Sequence, residues 1–267
     1  MFEIFEELDK FNNITFYDDT HSYIMNDIKA TSVTTLIHKY EQPFDEEYWS
    51  EKKAPSEGCT PEVLRARWKH KNITAQVKGT MVHSYIENLL SRKVFPYDET
   101  KLAPLIAIGE TNDIIKPKFD KIKIQADEFI ETLKGRLIPI KSEFVLGDPE
   151  FDVCGMVDQI FYNKKSGLLE IWDWKTNGKL DTTSRYRLSG IMKEIPNSKL
   201  DIYSLQLGIY KYLLEKNTNL KVGNCYLVWF NEENEKYKVI KCREYDREVK
   251  MILAEHKKFK KLDNKDV

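Results

Sequence analysis

The amino-acid sequence predicts an α/β protein, a mixed central sheet flanked by helices, and three observations carry that prediction. Two apolar runs, Val153 to Tyr162 and Leu168 to Trp174, are joined by the polar stretch Asn163-Lys164-Lys165-Ser166-Gly167, which is the pattern of a β-hairpin. Strand-like runs at 138–146 and 222–230 precede and follow it and extend the sheet. Residues 79–91 and 201–215 change to helical spacing. Val82, Ile86, Leu89 and Leu90 make one apolar stripe, and Leu205, Ile209, Tyr212 and Leu213 make another.

Composition limits the possible classes. Hydrophobic residues are 41% and charged residues 32% of the 267, which excludes a disordered chain, and no apolar run reaches the length of a bilayer span. The start, Met1-Phe2-Glu3-Ile4-Phe5-Glu6-Glu7, lacks the basic residues of a signal peptide, so a cytoplasmic location with no membrane partner is expected. Cys59, Cys154, Cys225 and Cys242 form no C-x-x-C pair, and reduced thiols are expected rather than zinc or an iron–sulfur cluster. A formal net charge of −1 is low for a protein that grips long duplex DNA non-specifically. Any nucleic-acid contact is therefore expected from local basic patches.

In chain order, residues 14–17 and 22–25 form a small hairpin across Asp18-Asp19-Thr20-His21, and Asn26-Asp27 is a second turn. Thr31 or Ser32 caps a short helix whose apolar positions are Val33, Leu36 and Ile37. Residues 44–76 are helical in two pieces separated by Gly58-Cys59-Thr60-Pro61, with Thr60 as N-cap and Pro61 at the first helical position. The second piece holds Arg65, Arg67, Trp68, Lys69, His70 and Lys71. That run suits a phosphate backbone with a stacked base, and it also suits a solvated helix face. Residues 101–134 are helical with an interruption near Lys116-Pro117. The connection from Thr176 to about Leu200 carries Arg185-Tyr186-Arg187, fit either for a single strand passing over a site or for a flexible surface loop. A strand at 237–242 pairs with 222–230, a helix at 247–261 closes the chain, and 263–267 form a disordered tail.

Candidate chemistry concentrates in the central hairpin. Side chains alternate along a strand, so Asp173 and Lys175 share one face while Trp172 and Trp174 share the other. Pairing through the 163–167 turn brings Asp158 near Asp173. Two carboxylates held together repel unless a cation lies between them, and hard oxygen ligands select Mg²⁺ or Mn²⁺. Acids and lysines on the wet face of an ordinary hairpin give the same pattern. His83 and Glu87, four apart on one helix, offer either a surface hydrogen bond or a nitrogen ligand for the same metal. Glu143, on the 138–146 strand, suits a metal's water shell or a solvated surface. Gln206 and Tyr210 are a further pair four apart.

These residues fall in a series. Gly79-Thr80-x-x-His83-x-x-Ile86-Glu87, Gly155-x-x-Asp158, Asp173-Trp174-Lys175 and Gln206-x-x-x-Tyr210 resemble the motifs of the PD-(D/E)XK nuclease superfamily. The nearest likeness is to its RecB-like branch, which includes phage exonucleases and the mitochondrial genome maintenance exonuclease. Ser32-Val33-Thr34 resembles a segment of the phage and mitochondrial members. The four motifs span about 79–210, in the family's order, on helix, strand, strand and helix.

The resemblance implies a restriction-endonuclease-like core over 79–262, with 1–78 as a hairpin and helical elaboration. It implies that His83, Asp158, Asp173 and the Trp174 backbone carbonyl hold one or two Mg²⁺ or Mn²⁺ ions. Asp158, Asp173 and Lys175 would be catalytic, Glu87 and Glu143 would act behind the ligands, and Gln206 and Tyr210 would position DNA or Lys175. Arg185, Tyr186, Arg187, Arg65 and Arg67 are the remaining candidates for DNA contact. The implied activity is a metal-dependent exodeoxyribonuclease acting on single-stranded DNA or DNA ends. Its setting would be phage or bacterial replication, recombination or processing, in the host cytoplasm if phage-encoded. A structure-specific endonuclease, or a non-catalytic DNA- or protein-binding module on the same fold, are the alternatives. The third-motif acid is Asp173 where many relatives have Glu, and the cysteine quartet of the iron–sulfur relatives has no counterpart.

Overall fold

A strand whose side chains are nearly all buried must be covered on both faces. The central hairpin imposes this, and the chain supplies helices to both sides. In the computed structural model, which describes residues 1–95 and 99–263, the N-terminal part comprises α1 (Phe2–Leu8), β1 (Ile14–Tyr17), β2 (Ser22–Met25), β3 (Ile28–Ser32), α2 (Val33–His38), α3 (Glu46–Lys53), α4 (Pro61–Leu90) and α5 (Ala103–Ile106). There follow α6 (Asn112–Leu133), β4 (Leu137–Asp148), β5 (Val153–Asn163), β6 (Leu168–Lys175), α7 (Lys199–Asn217), β7 (Val222–Trp229), β8 (Lys238–Lys241) and α8 (Asp246–Asp263).

The eight strands of the described residues form one mixed sheet. Strands β1, β2 and β3 are an antiparallel meander whose second turn, Asn26-Asp27, has both residues at positive φ, as a two-residue hairpin requires. Strand β4 pairs with β5 along its length, from Leu137 opposite Asn163 to Asp148 opposite Val153. The other edge of β5 is shared. Its start pairs parallel with β3 at Val153 and Cys154, and its end pairs antiparallel with β6 from Gln159 onward. Residues 155–158 lie in the fork between those two partners. Strand β6 then pairs parallel with β7, and β7 antiparallel with β8.

Alternation along β6 sorts its side chains as the sequence requires. Leu169 and Ile171 enter a core with α2, α7 and α8, while Trp172 and Trp174 enter a second core with α4, α5 and α6. Both tryptophans pack against Phe129 of α6, at ring-centroid distances of 5.6 and 5.7 Å. Trp174 is 2% exposed, so truncation to Ala should cost about 3–5 kcal/mol. Caps follow the sequence. Ser32 Oγ accepts from the Thr35 amide at 3.0 Å, and Thr60 Oγ1 accepts from the Val63 amide at 3.4 Å with Pro61 next in line.

Two local expectations are corrected, and the connection left open between two readings proves anchored. The helices expected at 61–76 and 79–91 are a single helix of 30 residues, because nothing between them caps or breaks it; Gly79 costs only about 1 kcal/mol relative to Ala inside a helix. The interruption expected at Lys116-Pro117 lies at 107–111 instead. There Gly109 takes φ +87 and Thr111 is an extended N-cap, while Pro117 sits early in α6. The connection after β6 is anchored rather than loose: Leu180, Leu188, Met192 and Ile195 are buried, and the Ser189 amide and hydroxyl both donate to the Tyr40 carbonyl. The tail expected to be disordered at 263–267 lies, from 264 on, outside the described residues. No helix among the described residues is long and apolar enough to cross a membrane.

Candidate active site

The fork in the sheet is where the chemistry gathers. Because β6 leaves β5 beyond Trp172, the Trp174 backbone has no ladder partner on that side. Its amide donates to Asp158 Oδ2 at 2.7 Å, and its carbonyl lies 3.1 Å from His83 Nε2, brought in by α4. His83 Nδ1 faces Asp158 Oδ2 at 3.5 Å and Glu143 Oε1 at 3.6 Å. Ser142 lies opposite Gln159 and Phe144 opposite Val157, so Glu143 falls across from Asp158. Glu143 reaches this place with φ +45, a left-handed backbone that disfavours any residue with a Cβ and that collects at functional sites. Asp173 points to the α7 face, where its Oδ2 forms an ion pair with Lys175 Nζ at 2.5 Å.

Helix α7 closes the recess. Gln206 Nε2 donates to the Tyr210 hydroxyl at 2.9 Å. A Cβ placed on Gly155 would lie 2.3 Å from Tyr210 Cε1, so the glycine of Gly155-x-x-Asp158 is the space into which the Tyr210 ring fits. Two motifs far apart in sequence are thus one contact in space. Lys175 Nζ sits 4.3 Å from the centroid of the Tyr203 ring, a residue that sequence reasoning passed over. Its signal was available: Tyr203, Gln206 and Tyr210 stand at i, i+3 and i+7, a single helical stripe.

The electrostatics are those of acids with too few protons between them. Burial raises the Asp173 pKa to about 6, helped by neighbouring Asp158 and offset in part by Lys175. Asp158 is raised as well, by burial first and then by Glu143, against the pull of His83 and Lys175. Burial lowers the tendency of His83 to be charged, but Asp158 and Glu143 outweigh it and lift its pKa to about 9. Burial likewise opposes the Lys175 ammonium, yet Asp173 and Asp158 hold it above the usual lysine value.

The donor set fits a hard divalent cation. His83, Glu143 and Asp158 offer ligand atoms within 4.8 Å of one another, with the Trp174 carbonyl beside them, and buried Asp173 Oδ2 is met only by the Lys175 ammonium, at 2.5 Å. One imidazole among carboxylate and carbonyl oxygens suits Mg²⁺ or Mn²⁺. Glu143, expected behind the ligands, stands among them, whereas Asp173 is turned toward Lys175. Glu87 lies one turn beyond His83 on α4.

The basic candidates have partners of their own. Arg65 donates to Ser50 and pairs with Glu62, tying α4 to α3. Arg65 and Arg67 precede His83 on α4 by about 27 and 24 Å of helix. Arg185 stacks on Tyr186 with 4.9 Å between guanidinium and ring, and Arg187 bridges to Pro196 and donates to the Glu194 carbonyl.

This geometry defines a nuclease-type fold, and comparison with known proteins agrees. The family profile described as the PD-(D/E)XK nuclease superfamily matches residues 60–265. The chain belongs to that superfamily, whose members use divalent metal ions. Among solved structures, a candidate exonuclease from Eubacterium rectale is similar over 89% of this chain and 82% of its own, at 18% identity and a TM-score of 0.50, a likeness of fold. Another, SSO0001, aligns over 67% of this chain and 74% of its own, at 16% identity and a TM-score of 0.27, which carries no argument. No curated protein sequence matches.

Proposed function

We propose that the chain is a metal-dependent exodeoxyribonuclease of the RecB-like branch, hydrolysing phosphodiester bonds of single-stranded DNA or of DNA ends. The observation that supports it most is the fork itself, where an imidazole, three carboxylates, a backbone carbonyl and an ammonium share one recess. His83, Asp158, Asp173, Glu143 and the Trp174 carbonyl would hold one or two Mg²⁺ or Mn²⁺ ions. When bound, such an ion lowers the pKa of a water and offsets charge growing on the phosphate. Lys175, protonated throughout, orients the attacking water or stabilises the charged oxygen. Gln206 and Tyr210 position Lys175 or the DNA backbone, and Glu87 supports His83 from behind. Arg185, Tyr186, Arg187, Arg65 and Arg67 contact DNA. The proposed core, 79–262, lies within the matched 60–265, and 1–78 elaborates it. A cytoplasmic role in phage or bacterial DNA replication, recombination or processing completes the reading.

The test uses end-labelled linear and circular single-stranded DNA, each with Mg²⁺, Mn²⁺ or EDTA, beside Asp173→Ala. Metal-dependent loss of the linear strand alone, absent in the variant, is expected. Cutting of the circle would reassign the chain as an endonuclease. Intact DNA binding with neither substrate cut would make it a binding module.

A further inference from the structure

We propose that Tyr203 is a positioning residue that fixes the Lys175 ammonium in the recess; the proposal rests on the nuclease reading of the same site. A lysine is a point charge on a flexible four-carbon stem, and its usefulness depends on how firmly the charge is held. Asp173 provides one hold, at 2.5 Å. That hold is conditional, because the proposed function assigns the same carboxylate to a cation. The Tyr203 ring provides a second hold, with Nζ 4.3 Å from its centroid, and a ring face has no other cation to serve.

The ring is itself braced at both ends. Its backbone is in the second turn of α7, on the stripe that carries Gln206 and Tyr210. Its hydroxyl donates to Asn177 Oδ1 at 3.2 Å, two residues beyond Lys175. The Asn177 carbonyl in turn accepts from Trp229 Nε1 at 2.7 Å and from Asn231 Nδ2 at 3.1 Å, and the Asn231 amide donates to Gln125 Oε1 at 3.2 Å. The tyrosine therefore links a rigid helix to the segment that leaves the catalytic strand, with the ammonium held against the ring between them.

Two measurements test this, one free of activity. In NMR spectra of the metal-free protein, the Lys175 side-chain signals, assigned by their loss in Lys175→Ala, should be moved upfield by the ring current in wild type and in Tyr203→Phe. They should return to ordinary lysine positions in Tyr203→Leu. Unshifted signals in wild type would overturn the proposal whatever the chain hydrolyses. In single-turnover cleavage of an end-labelled strand with Mg²⁺, Tyr203→Leu should lower the rate about tenfold or more with DNA affinity within twofold, while Tyr203→Phe stays within about threefold. Added to Lys175→Ala, Tyr203→Leu should have no further effect. Equal loss in Tyr203→Phe and Tyr203→Leu, or an additive loss in the double variant, would overturn the positioning role. Equal activity of Lys175→Ala and wild type would instead overturn the catalytic reading and leave the NMR result to decide the contact.

Discussion

Asp148, Asp201 and Asp173 are all buried, yet they are answered differently. Asp148, at the end of β4, accepts from the Glu150 and Phe151 amides through Oδ1 and from Lys216 and Asn217 through Oδ2, at 2.5–3.2 Å. Asp201 in α7 accepts from Arg243 and Tyr245 on one oxygen and from Ser198 on the other. Both of these acids have all their oxygens occupied by donors fixed in the fold. Asp173 Oδ2 is answered by the Lys175 ammonium alone, at 2.5 Å, and its neighbour Asp158 adds repulsion. A buried acid whose oxygens are all answered by fixed donors holds structure together, whereas carboxylates gathered around one ammonium and one imidazole are the arrangement from which a cation site is proposed.

The largest effect that would break this distinction concerns activity. Asp173→Asn or Asp158→Asn should lower DNA cleavage by on the order of 10²–10³-fold or more. Thermal unfolding in EDTA should move less in these variants than in Asp201→Ala. A variant of Asp173 that cleaves at the wild-type rate would place it with the structural acids.

Next in size is the converse. Asp201→Ala strands Arg243, Tyr245 and Ser198, and removing one member of a buried charged network costs about 3–5 kcal/mol, here toward the lower end because the Arg243 side chain is 38% exposed. Urea unfolding should register that loss, while cleavage per folded molecule stays near wild type.

Proton linkage sharpens the comparison further. The Asp173 pKa is raised to about 6, so between its ordinary value of 3.8 and 6 the folded chain binds more protons than the unfolded, and stability falls as pH rises. His83, raised from 6.5 to about 9, contributes stability that is present below 6.5 and lost as pH rises through 9. The proposed cation needs both groups without protons. The rise in Tm on adding saturating Mg²⁺ should therefore be larger at pH 8.5 than at pH 5.5, and titration calorimetry in two buffers should detect about one proton released near pH 7.5. Binding without proton release would separate His83 from the ion.

Much of this was legible in the sequence, for local reasons. Alternation alone separates Asp173 and Lys175 from Trp172 and Trp174, and the structure keeps that division. Thr60-Pro61 starts a helix because both residues act within its first turn. What was not legible depends on distant pairing. The fork exists because β3, more than a hundred residues earlier, takes the start of β5 and leaves residues 155–158 open. The left-handed backbone of Glu143 carries no residue signature, since glutamate rarely adopts it. Tyr203 reads as an ordinary helix residue until Lys175 is seen against its ring. Pro117 is the sixth residue of α6 and the helix absorbs it, despite the hydrogen bond it removes and its crowding of the carbonyl four residues back, whereas Gly109 at φ +87 turns the chain.

The smallest effect concerns charges that belong to neither group. Arg67 is exposed on α4, about 24 Å of helix from His83, and no buried acid depends on it. Arg67→Ala should change stability by less than about 0.5 kcal/mol. If Arg67 meets a phosphate, its loss should weaken single-strand binding similarly for every sequence and reduce the slope of log affinity against log salt by about 0.7. Cleavage at saturating DNA should stay at the wild-type level, since the residue acts on binding alone. An unchanged salt slope would return this basic run to the solvated face of a long helix and confine the DNA contacts to groups nearer the fork.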